Sequence, residues 1–97
     1  MKVTVYKDFD DFRANGKAGA ICFCESVEHG VYGFAYKCAG CGEESYLPVV
    51  PPEIVKKKQP EWNWDGNREL PTLTPSIFHR GKCGWHGYLT KGIFTSV

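Results

Sequence analysis

The chain has 97 residues, with 12 Lys and Arg against 11 Asp and Glu, a net charge of +1, and five cysteines. That length points to one domain over residues 1–97, and the balanced charge argues against the basic footprint of a dedicated nucleic-acid binder. No stretch approaches the ~20 apolar residues of a membrane span, and the opening MKVTVYKDFDDF lacks the apolar run of a signal peptide. A cytoplasmic protein is therefore expected. In that reducing compartment an odd number of cysteines suits thiolate ligands or free thiols better than disulfides.

In chain order, KVTVYK (2–7) alternates apolar and polar residues and predicts a short strand. DFDDFRANG (8–16) predicts a helical turn with Asp8 or Asp10 as N-cap and Gly16 as stop. GAICFCE (19–25) and VYGFAYKC (31–38) predict a hairpin, with Cys22 and Cys24 on one strand face. ESYLPVV (44–50) continues as strand until the Pro51-Pro52 pair. Residues 51–75 hold five prolines and the turn signal Asp65-Gly66, and predict a long irregular loop anchored by Trp62 and Trp64, with a helical turn at IVKKK. SIFHR (76–80), GYLT (87–90) and IFTSV (93–97) close the chain as strands. The fold class is a small mostly-β domain of antiparallel hairpins, zinc-ribbon-like, with a long Pro/Trp-containing loop.

Two short motifs carry chemistry. YKCAGCGEE holds C-x-x-C at Cys38 and Cys41, and CGWH holds C-x-x-H at Cys83 and His86. Two such turns supply the four N/S ligands of a tetrahedral zinc. Gly40, Gly42 and Gly84 give the knuckles the backbone freedom they need. A redox role for Cys38 and Cys41 would want a helix opening on the C-x-x-C, whereas here it lies between strands. Four protein ligands close the coordination shell, so one structural Zn2+ is expected rather than a catalytic one. His79 is read as a strand residue satisfied by a carbonyl, with a substitute ligand as the alternative. Cys22 and Cys24 are read as small hydrophobes before alternative ligands. His29 and Lys56 to Lys58 are read as solvated, and Asp65 and Asn67 as bonding their own turn.

W-x-W-x-G-N (62–67), P-T-L-T-P-S-I (71–77) and C-G-W-H-G-Y-L-x-x-G (83–92), with the C-x-x-C ahead of them, give the chain a resemblance. Over about residues 31–95 it resembles a family of small phage and prophage proteins of unknown function, some labelled "ammonia monooxygenase". The resemblance implies a phage-encoded, zinc-stabilised, mostly-β domain working inside a bacterium. It implies no activity and leaves the role of residues 1–30 open. The label itself does not suit a chain without a membrane span whose donor set favours zinc over an oxidising copper centre.

The functional expectation is a non-enzymatic accessory protein that binds a protein partner of host or phage. Its candidate surface is Trp62, Trp64, Arg80, Lys82, Trp85, Tyr88 and Lys91, where cations interleave with aromatic rings. The alternative for the same residues is a nucleic-acid-binding zinc ribbon. No catalytic residue is assigned, because the sequence alone identifies no nucleophile, base or open metal position.

Overall fold

The computed structural model describes residues 1–28, 30–49 and 62–97. The expectations for His29, the IVKKK turn and Lys56 to Lys58 lie outside the described residues. Strand β1 (Thr4–Tyr6) leads into helix α1 (Phe9–Asn15). Asp8 caps that helix by accepting the Asp11 N–H at 2.9 Å, and Gly16 ends it by donating to the Phe12 carbonyl at 2.8 Å. The cap and the stop are the residues the sequence marks for those tasks.

Strands β2 (Ala20–Ser26), β3 (Gly30–Lys37) and β4 (Glu44–Pro48) complete a first sheet in the order β1-β2-β3-β4. The β2–β3 and β3–β4 pairs are antiparallel, but β1 and β2 run parallel. The departure from hairpins throughout has a simple cause: α1 carries the chain back across the sheet, and a crossover of that kind yields a parallel neighbour.

A second sheet has the order β5-β6-β7-β8 and is antiparallel at every pair. It is built from β5 (Asn63–Trp64), β6 (Leu73–Phe78), β7 (His86–Thr90) and β8 (Ile93–Ser96). Asp65 and Asn67 fold the β5–β6 connection on themselves. Asp65 Oδ1 accepts from the N–H groups of Asn67 and Thr72, and Asn67 Oδ1 from those of Glu69 and Leu70.

Alternation along the strands decides how the layers pack. Ile21, Phe34, Tyr36, Leu47 and Val49 of the first half meet Leu73, Ile77, Leu89 and Phe94 of the second in one buried cluster between the sheets. The opposite face of the first sheet presents Ala20, Cys22 and Ala35, with Cys24 beside them, to Phe12 of α1. Cys22 and Cys24 do share a face, as strand geometry demands, and they serve there as small apolar residues. Burial pushes both thiols up. Among the described residues no helix is long and apolar enough to cross a membrane.

Phe34 is fully buried at the centre of the sandwich, with its ring 4.7 Å from Phe23 and 5.6 Å from Trp64 between centroids. Phe34→Ala is expected to cost about 3–5 kcal/mol in urea unfolding of the protein. A loss below about 1 kcal/mol would mean that the two sheets do not share this core.

Candidate functional site

β3 and β4 are joined by a tight turn at residues 38–43, and β6 and β7 by another at 79–85. Both turns lie at the same end of the sandwich. The first is closed by Cys38 N–H to the Glu43 carbonyl and Gly42 N–H to the Cys38 carbonyl. In the second, His79 N–H donates to the Trp85 carbonyl at 2.8 Å and Gly84 N–H to the His79 carbonyl at 3.1 Å. Gly42 and Gly84 both adopt φ of +78°, where a Cβ is strained.

These turns bring together Cys38, Cys41, His79 and Cys83, whose donor atoms all lie within 4.8 Å of one another. Cys38 Sγ is 3.5 Å from Cys83 Sγ, and His79 Nδ1 is 3.4 Å from Cys83 Sγ and 3.7 Å from Cys41 Sγ. Tetrahedral zinc, with bonds of about 2.3 Å to sulfur and 2.0–2.1 Å to nitrogen, sets neighbouring donors about 3.5–3.8 Å apart. These three separations match that size, and the cluster could hold a metal ion. Backbone N–H groups already point at the sulfurs: Gly40 to Cys38 at 3.3 Å and Trp85 to Cys83 at 3.4 Å. The Trp85 N–H and then His79 draw the Cys83 thiol down to about 7, whereas burial pushes Cys38 up. Tyr36, buried beneath the cluster, has its phenol pushed up by burial and by the neighbouring cysteines.

The structure brings together three of the four residues expected as ligands, and corrects the fourth. His79 occupies the place expected for His86. The physical reason is strand length. β6 ends at Phe78, so His79 leaves the ladder and turns, 6% exposed, toward the cysteines. β7 begins at His86, so strand alternation sends Trp85 inward and His86 out onto the opposite face.

On that outer face His86 Nε2 lies 2.8 Å from Ser76 Oγ. Ser76 owes its place to an irregularity in β6. Leu73 pairs with Leu89 and Ile77 with Gly87, so four steps along β6 span two along β7 and the chain at 74–76 bulges out of the ladder. Pro75, with no N–H to offer a partner strand, sits in that bulge. The His86 ring packs at a tilt against Phe78, its register partner, with 5.2 Å between centroids. Beneath it, Gly87 leaves room for Trp85: a Cβ there would lie 2.3 Å from the Thr95 carbonyl oxygen and 2.6 Å from the Trp85 ring.

The expected binding surface does not form one exposed aromatic patch. Trp62, Trp64 and Trp85 are half-buried against the core. Tyr88 is 48% exposed on the face that carries His86, and Lys82 is paired with Glu43 at 3.3 Å. Arg80 and Lys91 are exposed.

Fold and site together define a small mostly-β domain with a metal-competent Cys3His clamp at one end and a serine–histidine pair on an outer sheet face. Residues 7–97 match the family model of BubE, the bacterial ubiquitination-like system serine protease, and the chain belongs to that family. No curated protein and no solved structure matches it. The family match overturns the expectation of a non-enzymatic accessory protein, together with the nucleic-acid alternative, because the family is described as an enzyme. It gives no support to the ammonia monooxygenase label. Membership of a ubiquitination-like system also implies protein partners.

The sequence reasoning missed Ser76 and its pairing with His86. A signal was present: Ser76 and Phe78 alternate onto one face of β6, as His86 and Tyr88 do on β7. Assigning His86 to the metal by its C-x-x-H spacing hid that signal.

The two histidines can be separated directly. His79→Ala should abolish tight cobalt(II) binding, read as loss of the thiolate-to-metal absorption, whereas His86→Ala should bind cobalt(II) as the parent does. The reverse pattern would restore His86 to the cluster.

Proposed function

We propose that this chain is a serine hydrolase acting on acyl bonds of protein substrates, with Ser76 as nucleophile and His86 as general base. The observation that carries the proposal is the 2.8 Å contact between Ser76 Oγ and His86 Nε2. The family's description as a serine protease supports it. In the tautomer protonated at Nδ1, the Ser76 hydroxyl donates to Nε2, the geometry that activates a weak nucleophile.

As Oγ forms its bond to the substrate carbonyl carbon, the hydroxyl proton passes to Nε2. The histidinium then returns that proton to the leaving amine or alcohol as the tetrahedral intermediate collapses to an acyl-Ser76 ester. Water, deprotonated by the same Nε2, attacks the ester, and the proton goes back to Oγ as the acid product leaves. Among the described residues His86 makes one side-chain hydrogen bond, to Ser76, and its ring is held by Phe78. Among the described residues the chemistry therefore rests on a dyad.

The Cys38, Cys41, His79 and Cys83 cluster holds one structural zinc in this reading. Four protein donors leave no open position on the ion, and its contribution is to fix the two turns. A reducing bacterial cytoplasm suits five cysteines, none of which is in a disulfide.

A fluorophosphonate probe should label the protein at Ser76, located by peptide mass spectrometry, and Ser76→Ala should not be labelled. His86→Ala should slow labelling by about 10²–10⁴-fold with the fold intact by circular dichroism. Labelling at another residue, or an unchanged rate in His86→Ala, would overturn the assignment. Native mass spectrometry of protein prepared without chelator should show one zinc per chain; a fully reduced metal-free mass would refute the structural-zinc reading.

A further inference from the structure

The bulge that exposes Ser76 creates a difficulty for catalysis. Residues 74–76 lie between the pairs Leu73–Leu89 and Ile77–Gly87, outside the β6–β7 register. Thr74 keeps a partner in Asn63 of β5, but among the described residues Ser76 has no register partner on β7, and misplacement of a nucleophile by about 1 Å can cost 10²-fold in rate. One side-chain bond holds the Ser76 backbone directly. The indole N–H of Trp62 donates to the Ser76 carbonyl at 3.1 Å, across 14 residues of sequence.

Trp62 is itself anchored from the other sheet. Its backbone N–H donates to the Pro48 carbonyl at 2.9 Å, it forms a parallel bridge with Val49, and its half-buried ring packs against the core. The indole is therefore a strut running from the end of β4 to the backbone of the nucleophile. Its N–H bonds the Ser76 main-chain carbonyl, leaving the hydroxyl to His86.

We propose that Trp62 is a positioning residue for Ser76: its N–H fixes the bulged backbone so that Oγ stays within reach of His86 Nε2. This assignment rests on the reading of Ser76 and His86 as the catalytic pair. Trp64 provides an internal control. It makes the same kind of bond at the same distance, Nε1–H to the Asn67 carbonyl at 3.1 Å, but that bond spans three residues of its own loop and does not reach the Ser76 backbone.

The test measures fluorophosphonate labelling of Ser76 in zinc-loaded parent, Trp62→Phe and Trp64→Phe, resolving the maximal labelling rate from the probe's half-saturation concentration. Trp62→Phe keeps an aromatic ring and loses the donor. Its maximal rate should fall about 10- to 100-fold with half-saturation little changed, while Trp64→Phe should label at the parental rate. If Trp62→Phe does not fold, 3-benzothienylalanine at position 62 removes the N–H while keeping the bicyclic ring, and the same loss is expected. Parental rates in the donor-free variant, or an equal loss in Trp64→Phe, would overturn the role of Trp62 alone. A parent protein that is not labelled at Ser76 would overturn the catalytic pair and the role of Trp62 with it.

Discussion

Cys38 and Cys41 from the β3–β4 turn meet His79 and Cys83 from the β6–β7 turn, and this junction determines where the rest of the site can be. The turns belong to different sheets, so the junction fastens the two layers at one end, while Phe34, Tyr36, Leu73, Ile77 and Leu89 hold them together along the middle. A small domain buries a limited core, and a metal-ready clamp of this kind is a common source of the missing stability. The donors stand 3.4–3.7 Å apart where contacts are resolved, already at the spacing of a tetrahedral ion. Binding should thus lock an arrangement that the turns nearly adopt by themselves.

The clamp and the dyad share one hairpin. Ser76 precedes His79 by three residues, and His86 follows Cys83 by three. Whatever closes the 79–85 turn also fixes the ends of the two strands that carry Ser76 and His86. Trp85 transmits that constraint. Its N–H bonds the Cys83 sulfur, its carbonyl accepts from His79, and its ring lies close against Gly40 and Gly87. From the other side, Trp62 fixes the bulge. Two tryptophans, both half-buried, thus set the positions of two polar side chains that point outward.

Much of the fold was legible because local rules act alone on short elements. Asp8 and Gly16 bound the helix, alternation placed Cys22 with Cys24, and Asp65 and Asn67 closed their own turn. That Cys38, Cys41 and Cys83 would come together could be read from spacing and glycine context. The histidine could not: C-x-x-H and H-x-x-x-C both suit a ligand turn, and the choice depends on where β6 stops and β7 starts, within the one- or two-residue margin that patterns leave open. The pairing of Ser76 with His86 was hidden for a related reason. Alternation places both on one outer face, but the register slip beside Ser76, on which their approach depends, leaves no trace in hydrophobic alternation. The parallel β1–β2 pair likewise depends on how α1 crosses the sheet.

If the clamp between the two turns holds Ser76 and His86 in working geometry, metal and reactivity should be lost together. Metal can be withdrawn stepwise from the intact protein with a chelator while bound metal and probe labelling of Ser76 are followed in the same samples. The two should fall together and recover together when zinc is returned. Undiminished labelling of Ser76 in metal-free protein would show that the dyad is set without the clamp, and would contradict that dependence.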